Sequence, residues 1–205
     1  MECLNTHKII GEIVEPLEFS HSSYGEKIYR TYIKSNRTSE NADILEVSIP
    51  NHSLFTEINV GDTVEIIGRI SSQSEKINGR NKLNIFIFAN EVTRLMDRDT
   101  PHENTVTLEG FICKEPMLRS TPNGREITDL LLASNSRFNK STYIPSIIWG
   151  RNAKYLANAC GVQTKLKVLG RLQSRIYVKN GVNMTAYELS VSKFDVVEDG
   201  NNEDI

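Results

Sequence analysis

One long alternating stretch, "TKLKVLGRLQSRIYVKNG" (164–181), is the best guide to the architecture of this 205-residue chain. Its apolar and polar residues alternate, which is typical of a β-strand with one face in a core. Gly170 interrupts the alternation, and a glycine inside a strand indicates a bulge or sharp bend. Asn180-Gly181 is a strong hairpin signal. We therefore predict a long bent strand, a tight turn and a last strand over "MTAYELSVSKFDV" (184–196).

The residues before this stretch predict three more strands and one helix. The strands are "TVTLEGFICK" (105–114), "EITDLLLASNS" (126–136) and "TYIPSIIWG" (142–150). Apolar residues then recur at helical spacing in "RNAKYLANAC" (151–160), and Gly161 ends that pattern. Three strands, a short helix and two strands is the order of the five-stranded OB barrel, and glycines within strands suit its tight coiling.

The first half of the chain repeats the second. "GEKIYRTYIKSNR" (25–37) matches "GREITDLLLASNSR" (124–137), and "VEIIGRISS" (64–72) matches "LKVLGRLQS" (166–174). The offset is 99 residues for the first pair (124 − 25) and 102 for the second (166 − 64). Several matches in the same order predict a duplicated domain.

We therefore expect an all-β chain with short helices, built as two tandem OB-fold five-stranded barrels. The first barrel is predicted over residues 1–96 and the second over 104–197. The acidic segment 97–103, which contains Thr-Pro, separates them as a linker. A short acidic tail follows at 198–205.

The net charge of −2 hides a strong asymmetry. Residues 5–96 carry 10 basic and 12 acidic side chains, whereas residues 104–194 carry 13 and 5, which gives +8. The last eleven residues, 195–205, carry five acids and no base. The second barrel is therefore the part of the chain whose charge suits an anionic partner.

Several classes of protein do not fit the composition. No apolar run approaches the ~18 residues of a membrane span, and the N-terminus does not resemble a signal peptide. The three cysteines are widely spaced and form no CxxC pair, so neither a disulfide framework nor a zinc site is expected and a reducing cytosol fits. The chain also has no phosphate-binding loop and no catalytic pairing of histidine with carboxylate. We expect no enzymatic activity, no cofactor and no metal.

The second half interleaves aromatic with basic residues. Binding of single-stranded nucleic acid needs both, because bases stack on rings while cations follow the phosphates. The aromatics are Phe138, Tyr143, Trp149 and Tyr177, and the cations near them in sequence are Arg137, Lys140, Arg151, Arg175 and Lys179.

Strand parity bears on the single tryptophan, Trp149. In the predicted third strand Tyr143, Ile147 and Trp149 share one face, while Ile144 and Ile148 share the other. The second face supplies a core without the tryptophan. We therefore interpret Trp149 as a stacking platform, the alternative being a buried core residue.

The second half resembles the bacterial single-stranded DNA-binding protein family. The resemblance rests on "NTVTLEGFICKEPMLRSTPNG" (104–124), "YIPSIIWGRNAKYLA" (143–157) and "GRLQSRIYVKNG" (170–181). It implies an OB fold that binds single-stranded DNA, with four barrels in an assembly. A chain with two barrels is therefore expected to form a homodimer.

The resemblance also assigns roles to residues. The family's stacking aromatics fall at positions that match Phe138, Tyr143, Trp149 and Tyr177, and two of its basic contacts match Arg119 and Arg175. The full set of candidate phosphate contacts is Arg119, Arg125, Arg137, Lys140, Arg151, Arg175 and Lys179.

The first half departs from this pattern. It places Ile49 opposite Trp149 and Glu75 opposite Tyr177, and "RTSENADIL" (37–45) contains no ring. We expect the first barrel to be structural or to contact proteins. The tail lacks the acidic Pro-Phe tip through which the family recruits replication and repair proteins, so the resemblance does not imply recruitment through the tail.

The sequence features fit two functions. The first is non-enzymatic, sequence-tolerant binding of single-stranded DNA in replication, recombination or repair, by a cytoplasmic, nucleoid-associated protein. The second is a primosome-type or mobile-element adaptor that acts mainly through protein contacts, which the acidic first barrel favours. RNA stays open as a ligand, because stacking does not sense the 2′-hydroxyl.

Overall fold

The computed structural model describes residues 3–39, 41–77, 79–97, 99–136, 140–179 and 181–197. The predicted acidic tail, 198–205, lies outside these residues. Over these described residues, twelve strands form one continuous sheet that closes twice on itself and so makes two barrels side by side.

The first barrel is formed by the first six strands: β1 (Asn5–Ile13), β2 (Glu18–Ser23), β3 (Glu26–Asn36), β4 (Ala42–Pro50), β5 (Thr63–Ile77) and β6 (Arg80–Arg94). β1 pairs with both β3 and β5, and the remaining pairings β3–β4, β4–β6 and β5–β6 complete a cycle of five strands. β2 extends this cycle by pairing with β3. A single turn of 3₁₀ helix, Asn51–Ser53, follows β4.

The second barrel repeats this arrangement with β7 (Glu103–Ile112), β8 (Met117–Ser120), β9 (Glu126–Asn135), β10 (Ser141–Trp149), α1 (Arg151–Ala159), β11 (Lys165–Lys179) and β12 (Val182–Val196). β7 pairs with β9 and β11, and β9–β10, β10–β12 and β11–β12 complete the cycle. The prediction of two tandem OB-fold barrels with short helices is confirmed.

The glycines inside the long strands have a clear steric role. The register of β11 against β12 shifts at Leu169/Gly170, where the sequence predicts a bend. A Cβ atom built on Gly170 would collide with the backbone oxygen of Ser190 on β12. Gly68 meets the oxygen of Phe88 in the same way in the first barrel. At these positions the two strands approach too closely for any side chain, which allows each barrel to coil and close.

Each barrel encloses an apolar core contributed by alternate residues of its strands. Fully buried side chains include Ile9, Ile33, Ile66 and Ile87 in the first barrel and Leu108, Leu132, Val168 and Leu189 in the second. The helix α1 buries Ala153 and Leu156 against the second core, and Thr128 Oγ1 donates to the Ala153 oxygen at 2.9 Å. This contact fixes α1 immediately after Trp149.

The barrels join at a seam where β1 and β7 pair antiparallel. Asn5 lies opposite Leu108 and Ile9 opposite Asn104, so the seam has a local two-fold symmetry. The side chains obey it too: Asn5 Nδ2 donates to the Ile70 oxygen at 2.9 Å, and Asn104 Nδ2 donates to the Leu172 oxygen at 2.7 Å. The two copies of the repeat therefore face each other as two subunits of a symmetric dimer would.

The structure also bears on the cysteines, on metal-binding clusters and on membrane-spanning helices. Cys3, Cys113 and Cys160 are free thiols. Within the described ranges, no cluster of three or more metal-binding side chains occurs. Over the same residues, no helix is long and apolar enough to cross a bilayer.

Candidate functional site

A groove of about 460 Å³ runs over the outer face of the second barrel. It crosses strands β8 to β12, and one residue of the first barrel reaches it. Five arginines line it: Arg37, Arg119, Arg125, Arg171 and Arg175. Trp149 and Ile147 from β10 and Ile127 from β9 supply its apolar surface, and Glu188 is the one acidic lining residue among those the structure describes. The groove thus combines positive charge with one large ring.

Trp149 lies at the end of β10 with 40% of its surface exposed. Ile144 and Ile148, on the other face of the strand, are buried in the core. Ile147 shares the outer face with Trp149 but is only 3% exposed, so it forms part of the groove floor. The alternative of a core tryptophan does not hold, because the indole reaches solvent beside the arginines.

Two of the other predicted rings are also at the surface. Tyr143, six residues before Trp149 on β10, is 43% exposed, and its backbone N–H donates to Ser72 Oγ of the first barrel at 2.9 Å. Tyr177 lies on β11 with the Arg175 guanidinium carbon 5.7 Å from its ring centre. Tyr177 borders a second groove, which adjoins the first at Arg175.

Carboxylates lie beside two of the predicted cations. Arg119 donates from Nε and Nη2 to the two oxygens of Asp129, at 2.5 and 3.1 Å. The Asp129 carboxylate raises the pKa of Arg119, which keeps its charge. Arg175 Nε lies 3.9 Å from Glu188 Oε1, an oxygen that also accepts from Gln173 Nε2 at 2.7 Å. Arg119 is therefore held by a two-point contact, and Arg175 lies at ion-pair distance from a carboxylate.

Arg171 was missed by the sequence reasoning. It is half-buried on β11, and its Nε has no hydrogen-bond partner among the described residues. The equivalent residue of the first barrel, Arg69, lies over the Phe88 ring at 4.2 Å and donates to Asn90 Oδ1 at 3.2 Å. In the second barrel Ser190 takes the place of Phe88, as the shared strand register shows. Arg171 is therefore left without the ring that engages Arg69.

A sequence signal for Arg171 did exist. Arg171, Gln173, Arg175 and Tyr177 alternate along one strand, so they share one face once the glycine bend is passed. Extending the parity argument from β10 to β11 would have included Arg171. No such signal exists for Arg37, because its approach to the groove depends on how the barrels meet.

The other predicted cations are more dispersed. Arg125 borders the groove, and its backbone N–H donates to Thr121 Oγ1 at 3.1 Å. Lys140 and Arg151 are exposed at the two ends of β10, outside the residues that line the groove. Arg137 and Phe138 lie outside the described residues, as does the side chain of Lys179.

The strand register corrects one alignment between the copies. Trp149 pairs with Ile127, and its counterpart, Pro50, pairs with Ile28, so Pro50 rather than Ile49 lies opposite the tryptophan. Ile49 instead corresponds to the core residue Ile148. A gapless offset of 99 residues from Gly25 would have placed Pro50 correctly. The first barrel thus has a proline where the second has its exposed indole.

The second half of the chain is similar in sequence to known proteins. The pattern of the single-strand binding protein family matches residues 103–197. The single-stranded DNA-binding protein of Clostridium tetani is 32% identical over 107 residues, covering 49% of this chain and 74% of that protein. Single-stranded DNA-binding protein 3 of Clostridium acetobutylicum is 31% identical over 106 residues, covering 48% and 74%.

A solved structure extends the likeness to both halves. The wild-type single-stranded DNA binding protein from Thermus aquaticus superimposes with a TM-score of 0.79, covering 98% of this chain and 96% of that one. Its sequence identity is 18%, so this likeness concerns the fold. The two-barrel arrangement is therefore shared with a known protein.

Proposed function

The chain belongs to the single-strand binding protein family, and from that premise we propose that it binds single-stranded DNA without regard to base sequence and without enzymatic activity. One observation carries the proposal: Trp149 is exposed in a groove lined by five arginines. A flat ring with flanking cations suits a flexible strand, whose unpaired bases stack while its phosphates meet positive charge.

The roles of individual residues follow from their positions. Trp149, Tyr143 and Tyr177 are exposed or half-exposed rings and would each stack a base, and the family resemblance adds Phe138. Arg119, Arg125, Arg171 and Arg175 would contact phosphates along the groove. Lys140 and Arg151 would extend this path beyond the groove, and so would Arg137 and Lys179, which lie close to the aromatic residues in the sequence. Affinity would arise from stacking and charge rather than from reading base edges.

The two barrels differ in the residues and the charge that they offer to DNA. Its arginine at the groove position, Arg69, is engaged by Phe88 and Asn90, and Pro50 stands where the second barrel has Trp149. Residues 5–96 also have a net charge of −2, against +8 for residues 104–194. We propose that the second barrel supplies most of the binding energy and that the first has mainly a supporting or protein-contacting role.

The cellular role proposed here is protection or handling of single strands in replication, recombination or repair, in the cytoplasm and in association with the nucleoid. Replication and repair proteins are the expected protein partners. The adaptor alternative has less support. A protein that acts mainly through protein contacts would not need an exposed ring and several arginines on one face.

Titration with labelled oligo-dT tests the proposal. We expect saturable binding that weakens steeply as salt rises, because each neutralised phosphate releases counterions and log K falls with log salt by about 0.7 per contact for single strands. A duplex of equal length should compete poorly, and mixed-sequence strands should compete well. Equal competition by duplex would refute the proposal, and a parallel titration with oligo-U measures any preference for DNA over RNA.

A second expectation concerns assembly. By the family resemblance, an assembly presents four barrels, and this chain supplies two, so we expect a homodimer. Sedimentation equilibrium at micromolar concentration should give twice the chain mass of 23.2 kDa. A species with the mass of one chain at that concentration would contradict the dimer and leave the binding proposal untouched.

A further inference from the structure

Arg37 belongs to the first barrel, yet it lines the same groove as Trp149 of the second. It follows β3 directly, in a segment with no aromatic residue. It also lines the adjoining groove that Tyr177 borders, so it lies where the two grooves meet. Its position makes it the one first-barrel cation that borders the Trp149 groove among the described residues.

A buried carboxylate holds Arg37 at this junction. Arg37 Nε donates to Asp43 Oδ2 at 2.9 Å and Nη2 donates to Oδ1 at 2.5 Å, while Asp43 is only 1% exposed. Nη2 also lies 3.4 Å from the Ser174 oxygen of the second barrel. The Asp43 contact raises the pKa of Arg37, so its charge is permanent. A two-point contact of this kind fixes the plane of the guanidinium.

The same carboxylate links the barrels through β11. Asp43 Oδ1 accepts the Ser174 N–H at 2.9 Å, and Ser174 Oγ accepts the Ile44 N–H at 3.1 Å. Ser174 directly precedes Arg175 and is three residues from Tyr177. The first barrel thus anchors β11 at the point where that strand carries a predicted phosphate contact and a predicted ring.

The two grooves form a continuous surface across this point. The second groove, of about 1060 Å³, shares Arg37, Ser174, Arg175 and Glu188 with the first. It continues between the barrels, past Tyr177 on one side and Tyr32 and Lys82 on the other. A strand that runs from Trp149 in the first groove to Tyr177 in the second would cross the shared boundary that Arg37 lines.

We propose that Arg37 is a phosphate-binding residue for the same strand that stacks on Trp149, and that Asp43 is the residue that positions it. This inference rests on the proposed function. Nη1 of Arg37 takes part in none of the contacts to Asp43 or Ser174, so its two N–H groups stay available to a phosphate. The first barrel therefore contributes a cation directly to binding by the second.

The test uses the full-length chain and the variant Arg37→Gln, with Arg94→Gln as a matched control. Arg94 also pairs with a first-barrel aspartate, Asp62, at 3.8 Å, but lines neither groove. Loss of one phosphate contact should lower the magnitude of the log K against log salt slope by about 0.7 and weaken oligo-dT binding about fivefold at 0.1 M salt. Arg37→Lys should retain the slope, because the charge remains.

A second measurement needs no variant. Phenylglyoxal modifies accessible arginines, and mass spectrometry reads each site in the wild-type protein with and without saturating oligo-dT. We expect Arg37 to be protected by DNA together with Arg175, and Arg94 not to be.

The two measurements separate the possible failures. If wild-type protein does not bind oligo-dT, the proposed function itself is wrong. If it binds, but Arg37→Gln keeps the wild-type slope, or Arg37 is labelled equally with and without DNA, then Arg37 is only a structural partner of Asp43 and the inference is overturned. If Arg37→Gln does not fold, the labelling result decides alone.

Discussion

Replacing Trp149 with alanine should weaken binding of oligo-dT by about 5- to 150-fold, which corresponds to the ~1–3 kcal/mol of one stacked base. The indole is 40% exposed in the arginine-lined groove, so its removal takes away a stacking surface without opening a large core cavity. The thermal unfolding of the variant should therefore stay cooperative and close to that of the wild type. Fluorescence anisotropy with a labelled oligomer, at one fixed salt concentration, measures the change in affinity.

The same residue also reports binding directly, because it is the only tryptophan in the chain. Its emission should be quenched when wild-type protein is saturated with oligo-dT. Tyr155→Ala is the matched control: Tyr155 is 60% exposed on α1 of the same barrel and stacks on Phe194, but it does not line the groove. We expect Tyr155→Ala to retain wild-type affinity. Unchanged affinity for Trp149→Ala, with unchanged emission on adding DNA, would contradict the stacking role.

Acidification from pH 6.5 towards pH 4 should destabilise the folded chain through a single histidine at the seam. His7 is 1% exposed on β1, and burial lowers its pKa from 6.5 to about 4. Its Nε2 lies 3.0 Å from Asn104 Oδ1, while its Nδ1 has no hydrogen-bond partner among the described residues. The folded state therefore favours the neutral ring.

The sign of the effect follows from proton binding. Between pH 6.5 and about 4 the unfolded chain binds a proton at His7 that the folded chain does not, so the free energy of unfolding falls as pH falls. The full loss, reached below about pH 4, is about 3 kcal/mol from this group. Above pH 6.5 the ring is neutral in both states and contributes no slope.

Urea unfolding of wild type and His7→Gln between pH 7.5 and 5 measures this. The free energy of unfolding of the wild type should fall towards pH 5 faster than that of the variant. The difference between the two proteins should therefore change with pH. A purely structural role for His7 would give a difference that does not depend on pH. His21→Gln, which removes an exposed histidine on β2, controls for the loss of one histidine. Parallel pH profiles for wild type and His7→Gln would refute the prediction.

The seam also shapes how the division of labour should be tested. The edges of β1 and β7 pair with each other over six residue pairs, and Asn104 of the second barrel faces His7 of the first. Separating the barrels would expose both strand edges, which favours aggregation. Point substitutions in the whole chain therefore separate the contributions of the two barrels more cleanly than isolated halves would.

Local patterns were sufficient to predict the two barrels and the exposed position of Trp149. Alternation, the glycine at position 170 and Asn180-Gly181 all act within a few residues, so strands, bend and turn follow from short-range geometry. The position of Trp149 on an exposed face followed from the same period of two, because Ile144 and Ile148 already supply the core. The repeat made the first barrel recognisable from the second.

Contacts between distant residues needed the folded structure. Arg37 and Ser174 are 137 positions apart, and no pattern in either segment indicates that Asp43 would hold both. Arg171 differs from Arg69 because Ser190 replaces Phe88 on the neighbouring strand. Such features depend on how the strands and the barrels pack together. Residues that are far apart in sequence but in contact leave no periodic pattern in either of their segments.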